Sequence, residues 1–274
     1  MPYERSVQYV RSQTAGITLI LLAAAGSQVR ADPITLGQAS SFGVLAGSTV
    51  TNTGPSVVHG NVGVSPGSAI TGFPPGTLVG GTMHSADSVA LQAQTDLTTA
   101  YNVIAGETPT QDLTGQDLGG LILTPGVYHF ASSAQLSGAL TLNALGDPNA
   151  RFDFQIGSTL TTASLSSVTI INNGGNSDSA DNLYWQVGSS ATLGTGTEFL
   201  GNILALVSIT LTTGATDFEG RALARNGAVT MDSNTVGFNA VSSVNSPEPS
   251  TAAYVIFSGL PLAFLVQRRR GRRQ

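Results

Sequence analysis

The candidate functional side chains of this sequence are threonines, each of which stands beside an apolar residue in a pattern that recurs along the chain. A threonine offers a hydroxyl for hydrogen bonding and a methyl group, on a β-branched side chain that has few rotamers. A regular row of threonines suits attachment to an extended surface by many weak contacts better than catalysis at one point. Six segments share the pattern, and their leading threonines are Thr49, Thr141, Thr159, Thr192, Thr210 and Thr230.

The spacing of these segments predicts a repeating architecture. From Thr141 onward the successive threonines lie 18, 33, 18 and 20 residues apart. A repeat of 18 or 20 residues, made of short alternating strands and glycine-rich corners, is the size of one coil of a parallel β-solenoid. The interval of 33 residues is one coil plus an insertion, which we assign to the polar loop at 172–182.

Strand alternation assigns the faces of these coils. The apolar neighbours are predicted to point inward as one stacked ladder of Val50, Leu142, Leu160, Leu193, Leu211 and Met231. The six threonines then form a first outward column. The second outward column is predicted to hold Thr51, Asn143, Thr161, Gly194, Thr212 and Asp232, and just beyond it lie Asn52, Thr162, Thr195, Thr213 and Ser233.

One segment departs from the strand pattern, because apolar residues after His84 fall at steps of three and four. This period predicts an amphipathic helix over about 85–105, with Ser85 as its cap, Asp87 in its first turn and Gly106 at its end. A single helix beside a solenoid would cover one wall and leave the others bare. The predicted buried stripe is Ala86, Ala90, Ala93, Leu97, Ala100, Tyr101 and Ile104.

The N-terminal segment is predicted to be a signal peptide. Arg5 and Arg11 precede the apolar stretch AGITLILLAAAG at 15–26, which is too short for a comfortable membrane span. Cleavage is placed after Ala31, so the signal peptide covers 1–31.

The C-terminal segment combines the triplet Pro247, Glu248 and Pro249, an apolar span from about Thr251 to Val266, and an arginine-rich tail. These parts, in this order, resemble the PEP-CTERM sorting tag of exopolysaccharide-making Gram-negative bacteria. The resemblance implies transient anchoring in the inner membrane with the tail in the cytoplasm. A sorting protease would then cut near the triplet, and the protein would be released or kept at the cell surface. A plain C-terminal anchor differs only in keeping the tail.

The remaining domain, about 32–246, is acidic and has no cysteine. It holds three arginines, no lysine and fourteen acidic residues, so its net charge is −11. This charge disfavours nucleic acid and anionic lipid as partners. An exported domain without cysteine must fold without disulfides.

Charged residues give little support to an enzyme. The candidate clusters are Asp217, Glu219, Arg221 and Arg225, and Asp147, Arg151 and Asp153. Solenoid enzymes need paired carboxylates, a calcium cluster or an activated base in a cleft, so we interpret both clusters as solvated corners or internal ion pairs. The three histidines share no spacing typical of metal ligands. The sequence favours a protein that is not an enzyme and holds no metal or cofactor.

Stretches that span nearly the whole core carry a family resemblance. They include FGVLAGSTVTNTGPSVVHGNVGVSPGSAITGFPPG at 42–76, LTPGVYHF at 123–130 and WQVGSSATLGTGTEFLGNILALVSITLTTGAT at 185–216. In them the chain resembles the bacterial and fungal β-solenoid ice-binding proteins. The resemblance implies a right-handed parallel β-helix of triangular section with one long helix alongside, and adsorption to ice through one flat face.

The threonine columns agree with that implied activity. Strands of neighbouring coils lie ~4.7–4.9 Å apart, and alternate residues of a strand lie ~6.6–6.8 Å apart, which gives a grid close to repeats on ice crystal planes. Some relatives carry a Thr-Ala/Gly-x-Thr/Asn motif on the ice face, which TGAT at 213–216 satisfies. The predicted ice-binding residues are Thr49, Thr51, Thr141, Asn143, Thr159, Thr161, Thr162, Thr192, Thr195, Thr210, Thr212, Thr213, Thr216, Thr230 and Ser233.

A non-catalytic matrix protein or adhesin that binds polysaccharide is the alternative. Sugar sites usually rely on aromatic side chains, and the single tryptophan, Trp185, lies in a strand that is predicted to be buried. The sequence therefore favours ice as the partner and keeps an exopolysaccharide as a further candidate.

Overall fold

Residues 34–238 are described by a computed structural model, in which they form 24 short strands and one α-helix. The predicted signal peptide and sorting tag lie outside these residues. The strands are β1 (Phe42–Ala46), β2 (Thr49–Asn52), β3 (Val57–His59), β4 (Asn61–Val64), β5 (Ala69–Thr71), β6 (Thr77–Val79), β7 (Met83–Ser85), β8 (Gln111–Asp112), β9 (Ile122–Leu123), β10 (Gly126–Phe130), β11 (Ala134–Leu136), β12 (Ala139–Asn143), β13 (Phe152–Ile156), β14 (Leu160–Thr162), β15 (Ser167–Ile171), β16 (Leu183–Val187), β17 (Ala191–Leu193), β18 (Glu198–Phe199), β19 (Asn202–Ala205), β20 (Ile209–Leu211), β21 (Thr216–Phe218), β22 (Arg221–Ala224), β23 (Val229–Met231) and β24 (Thr235–Gly237).

The strands pair in parallel into three sheets, and each complete coil contributes one strand to each sheet. Sheet A has the order β7-β4-β1-β22-β19-β16-β13-β10-β8, sheet B has the order β5-β2-β23-β20-β17-β14-β11, and sheet C has the order β6-β3-β24-β21-β18-β15-β12-β9. The last coil, β22 to β24, therefore stacks against the first coil, β1 to β3. The predicted parallel β-helix is confirmed.

Aromatic rings fill the middle of the core. The rings of Phe154 and Trp185 are stacked with their centroids 4.0 Å apart, and the centroid of the tilted Phe199 ring lies 4.9 Å from that of Trp185. Trp185 Nε1 donates a hydrogen bond to Leu200 O at 2.9 Å, so its polar atom is satisfied. Rings from β13, β16 and β18 thus join sheets A and C.

The six apolar residues predicted to point inward are all buried, but they do not form one ladder. Leu142 lies in β12 of sheet C, where it pairs with Ile170. Leu160 pairs with Ala191, whereas Leu193 pairs with Leu211 two residues further along the strands. The prediction was right about the face and wrong about the register, because alternation fixes the face of a residue but not its partner in the next coil.

The helix α1 (Ser88–Ala105) covers the outer side of sheet A. Its N-cap is Asp87, whose Oδ1 accepts a hydrogen bond from Ala90 N at 2.8 Å. The predicted cap, Ser85, lies in β7, and its hydroxyl donates to Ser68 O at 2.7 Å. The predicted end at Gly106 is confirmed. No helix within residues 34–238 combines the length and apolar content that a membrane crossing requires.

The predicted stripe of the helix is confirmed except for one residue. Ala90, Ala93, Leu97, Ala100, Tyr101 and Ile104 are buried, whereas Ala86 is exposed and precedes the helix. The stripe packs on outward side chains of sheet A that include Leu45, Tyr184, Leu204 and Leu223. Sheet A therefore has no free outer face along the helix.

One of the two charged clusters contains an internal ion pair, as interpreted from the sequence. Arg151 Nη2 lies 2.8 Å from Asp153 Oδ2 and 2.5 Å from Glu107 Oε1. Burial raises the pKa of Asp153 to about 8, against the opposing charge of Arg151. Asp147 is exposed and accepts a hydrogen bond from Asn149 N instead. The cluster ties the end of the helix to sheet A.

Asp217 is fully buried and points into the core, where its partners in register are Phe199 and Val236. Neither carboxylate oxygen has a hydrogen-bond partner within residues 34–238. Gly220 leaves room for the carboxyl group, since an added Cβ there would lie 2.0 Å from Asp217 Oδ1. Burial raises the pKa of Asp217 well above its usual value, although the charge of Arg221 acts in the opposite direction.

We expect the variant Asp217→Asn to remove part of the pH dependence of stability. A carboxyl group with a raised pKa stays protonated in the folded protein while the unfolded chain ionises near pH 4, so folding takes up a proton. The free energy of unfolding then falls as pH rises from about 4 to the folded-state pKa, by at most about 1.4 kcal/mol per pH unit for this group. Urea unfolding at pH 5 and pH 8 should show that the variant gains stability relative to the parent at the higher pH.

The exposed Asp147→Asn is the matched control and should follow the parent at both pH values. Asp153 adds a pH dependence of the free energy of unfolding with the same sign in all three proteins, so its contribution cancels when they are compared. Parallel profiles for Asp217→Asn and the parent would contradict the assignment of a protonated Asp217.

Candidate functional site

Sheet B carries an unbroken column of threonines on its outer face. The pairing register aligns one outward residue of each strand with one of the next. In spatial order the column, called the threonine column below, is Gln135, Thr161, Thr192, Thr210, Thr230, Thr51 and Thr71. With strands ~4.7–4.9 Å apart, its six successive threonines span about 24 Å.

Most hydroxyls of the threonine column are free to bind water. Thr51, Thr161, Thr192, Thr210 and Thr230 make no side-chain hydrogen bond to protein within residues 34–238. Only Thr71, at one end, donates to a backbone oxygen, that of Val50 at 3.5 Å. Five neighbouring threonines therefore present both a methyl group and an uncommitted hydroxyl to solvent.

The neighbouring column, two residues earlier on each strand, consists of small residues that bond to each other between coils. Thr159 Oγ1 donates to Ser133 Oγ at 2.8 Å, Ser190 Oγ accepts from Ser208 N at 3.3 Å, and Ser208 Oγ accepts from Ala228 N at 3.1 Å. These hydroxyls hold successive coils at a fixed spacing. Because its side chains are small, this neighbouring column does not project beyond the threonine column, and the face there is even.

The predicted first column is wrong in two ways. Thr141 lies in β12 of sheet C opposite Thr169, because the sheet B strand of its coil is Ala134–Leu136 and contains no threonine. Thr49 and Thr159 do lie on sheet B, but in the column of small residues. Thr51 and Thr161, predicted for the second column, are the ones that align with Thr192.

Three other predicted site residues do not face outward on sheet B. Asn143 lies in β12 and Thr216 in β21, both of which belong to sheet C. Thr162 points inward and is 3% exposed, and its hydroxyl shares a hydrogen bond of 2.8 Å with the Thr197 hydroxyl. A buried threonine in an otherwise apolar position fixes the corner between sheets B and C, which the alternating pattern could not reveal.

The remaining predicted residues form a hydrogen-bonded border at that corner. Thr212 Oγ1 donates to Leu193 O at 2.7 Å and lies 3.4 Å from Thr195 Oγ1. Thr213 Oγ1 donates to Asp232 Oδ2 at 2.5 Å, and Ser233 donates to the other oxygen of the same carboxylate. These hydrogen bonds, with that from Thr213 first, lower the pKa of Asp232. Asp232 therefore carries a negative charge at neutral pH beside the threonine column.

Buried polar side chains hold the corner in place beneath this border. Asn234 Nδ2 donates to Thr212 O at 2.8 Å and to Ala215 O at 2.9 Å. Asn52 Nδ2 makes the corresponding bond to Gly72 O at 2.9 Å. Each asparagine satisfies carbonyl groups that the turn would otherwise leave unpaired. The edge of sheet B is thus fixed from inside.

The outer face of sheet C is uneven by comparison. Its central column runs through side chains of very different size, in the order Ile122, Thr141, Thr169, Leu200, Phe218, Gly237, His59 and Val79. The helix covers sheet A. Sheet B is therefore the wall that combines a free surface with a regular row of identical side chains.

The histidines do not assemble a catalytic or metal site in the described part of the chain. His84 Nδ1 lies 2.8 Å from Asp87 Oδ2, where it supports the helix cap, and His129 Nδ1 lies 3.7 Å from Asp112 Oδ1. Within residues 34–238 no group of three or more acidic or histidine side chains could hold a metal ion.

Comparisons with known proteins agree with this architecture. The family model described as Ice-binding-like matches residues 44–237. An ice-binding protein of Nostoc sp. (strain HG1) is 59% identical over 242 residues, which cover 87% of this chain and 88% of that protein. The crystal structure of an ice binding protein from an Antarctic biological consortium matches with 47% identity and a TM-score of 0.71, over 84% of this chain and 96% of that one. The ice-binding protein of the Antarctic ascomycete Antarctomyces psychrotrophicus matches with 42% identity and a TM-score of 0.70, over 75% of this chain and 98% of that one. On this similarity in sequence and fold, the chain belongs to the Ice-binding-like family.

Proposed function

We propose that the protein binds ice crystals through the outer face of sheet B and thereby slows ice growth and recrystallisation. The observation that carries the proposal is the threonine column, in which five successive hydroxyls have no protein partner. The names of the relatives agree with this activity. No catalytic step is part of the proposal.

The physical reason is that ice offers neither charges nor pockets. A protein can hold ice only through many weak contacts made at once by a rigid surface. The methyl group of threonine discourages ordinary hydration, while its hydroxyl anchors a water molecule at a fixed position. Strands ~4.7–4.9 Å apart place these waters in a row of fixed spacing along the threonine column. Part of the entropic cost of ordering these water molecules is therefore met before the protein contacts ice.

We also propose that the protein acts outside the cell. Residues 1–31 would be removed as a signal peptide, 32–246 would be the mature domain, and 247–274 would carry the PEP-CTERM-type sorting tag. A sorting protease would recognise Pro247, Glu248 and Pro249, and an exopolysaccharide at the surface of a Gram-negative cell would be a second partner. Support for these steps comes from the sequence of the two ends.

The proposed function is tested by growing an ice hemisphere in a solution of the fluorescently labelled protein. We expect the protein to be taken up into the growing ice, while labelled serum albumin stays in the liquid. In a frozen sucrose solution the unlabelled protein should keep crystals small over hours. Exclusion of the labelled protein from the ice would overturn the proposal, since adsorption is its first step.

A further inference from the structure

A shallow groove on sheet C takes no part in the proposed ice face. It has a volume of about 500 Å³ and lies over β15, β18 and β21. This volume is within the ~300–1,000 Å³ typical of small-molecule sites. Its outward side chains are Thr169, Glu198, Leu200, Thr216 and Phe218.

The register of sheet C exposes an aromatic ring at one end of the groove. Phe199 pairs with Asp217, which puts Leu200 opposite Phe218. On the other side of Phe218 the paired residue is Gly237, which has no side chain, and Phe218 is 45% exposed. The ring of His59 in the next coil lies 6.4 Å from that of Phe218, centroid to centroid.

An exposed leucine borders the groove at the corner between sheets B and C. Leu165 extends over Gly196, where an added Cβ would lie 2.9 Å from the leucine Cδ2. Leu165 has a φ of 61° and is 80% exposed. The following coils place Gly196, Gly214 and Ser233 in the same left-handed conformation. A leucine there costs backbone strain and buries nothing in the core, which points to a role at the surface.

We propose that this groove binds a neutral polysaccharide. An exposed ring beside a carboxylate and hydroxyls matches a sugar, whose C–H face stacks on the ring while its hydroxyls hydrogen-bond to the polar groups. The Phe218 ring supplies the stacking surface, and the Leu165 side chain extends over Gly196 at the border of the groove. The side chains of Glu198 and Thr169 supply the acceptor and the hydroxyl, and neither has a hydrogen-bond partner within residues 34–238.

Charge selects a neutral polymer over an acidic one. The cationic side chains of residues 34–238 are Arg151, Arg221 and Arg225, and none of them lines the groove. The one charged group in the groove is the Glu198 carboxylate, which repels sulfated or carboxylated sugars. Because the groove is open to solvent along the sheet, an internal segment of a long chain can lie in it.

The site is independent of the proposed ice face. The groove is on sheet C, and the threonine column is on sheet B. A polymer in the groove would leave the threonine column uncovered, so the protein could hold ice and a hydrated polysaccharide at the same time.

Affinity electrophoresis in native gels that contain dextran, laminarin or xylan tests the proposal, with alginate as the acidic comparison. We expect at least one neutral polymer to retard the protein and alginate to leave its mobility unchanged. Phe218→Ala should weaken the apparent Kd roughly tenfold through loss of the stacking surface, and Glu198→Gln should weaken it less. The control is Ile122→Ala, since Ile122 is 68% exposed on the same sheet but outside the groove.

Three results would overturn the proposal: no retardation by any of the three neutral polymers, retardation by alginate alone, or equal effects of Phe218→Ala and Ile122→Ala. Thermal unfolding of both variants should match that of the parent, because both side chains are exposed. Uptake into ice should also be unchanged in Phe218→Ala. A failure of the ice-binding proposal and a failure of this one are therefore distinguishable.

Discussion

Replacing Thr210 by tyrosine should reduce inhibition of ice recrystallisation by roughly tenfold or more, which corresponds to about 1.4 kcal/mol or more of adsorption energy. Thr210 lies in the middle of the threonine column between Thr192 and Thr230. A tyrosine ring there would stand above the even surface and hold the neighbouring threonines away from the crystal. The measurement is the lowest protein concentration that keeps crystals small in frozen sucrose.

The same substitution at Thr141 is the matched control. Thr141 is also a half-buried threonine in the middle of a strand, but that strand, β12, belongs to sheet C. Thr141→Tyr should inhibit as well as the parent, and circular dichroism should show the same thermal unfolding for both variants. Equal loss of activity in the two variants would mean that the ice-binding face is not confined to sheet B.

A comparison of these two threonines also shows how far the sequence could lead. Both follow the same local pattern of threonine beside leucine, and both point outward from their strands as alternation predicts. The sheet to which each belongs depends on where the coil turns its corners. The coil of Thr141 uses Ala134–Leu136 on sheet B, where Gln135 takes the place of a threonine. Nothing in the local pattern around Thr141 signals that difference.

The fold itself was predictable because it rests on properties that repeat. Alternating short strands, glycine-rich corners and a period near one coil require only that each coil resembles its neighbour. The helical stripe from Ala90 to Ile104 was also predictable from a repeating property, because its apolar residues recur at steps of three and four rather than two. The pairing register requires each corner to be known. Corners here depend on buried polar residues such as Thr162 and Asn234, which have no periodic signature.

Charge on the face was also only partly predictable. The sequence places Asp232 in the second outward column but does not reveal the hydrogen bonds of its carboxylate. The structure shows that the hydroxyls of Thr213 and Ser233 both donate to its carboxylate. Those two hydroxyls are therefore committed, whereas the hydroxyl of Thr230 on the same strand is free. The contrast restricts the proposed contact with ice to the threonine column and leaves the corner as its border.

The stacking of the last coil on the first makes one junction important for stability. Arg221, in the last coil, is 7% exposed and connects three parts of the chain. Its Nη1 donates to Asn202 Oδ1 at 2.7 Å and lies 3.0 Å from Asp181 Oδ1, and its Nε donates to Ser40 O at 3.0 Å. Its guanidinium group also lies 4.6 Å from the centroid of the Phe238 ring. The side chain thus links the segment before β1, the insertion before β16 and the end of β24.

Arg221→Met should lower the free energy of unfolding by about 3 kcal/mol, or the melting temperature by roughly 6–12 °C, because buried acceptors lose their donor.

Arg225→Met is the control with the same change in charge. Arg225 is half-buried, with its guanidinium carbon 4.6 Å from the Tyr101 ring centroid and Nε 3.3 Å from Thr98 Oγ1, so its loss should cost about 1 kcal/mol or less. Differential scanning calorimetry measures both. In the ice-hemisphere assay both folded variants should still enter growing ice, since neither side chain lies on sheet B. An Arg221→Met protein as stable as Arg225→Met would show that the junction is held by strand pairing and apolar contacts alone.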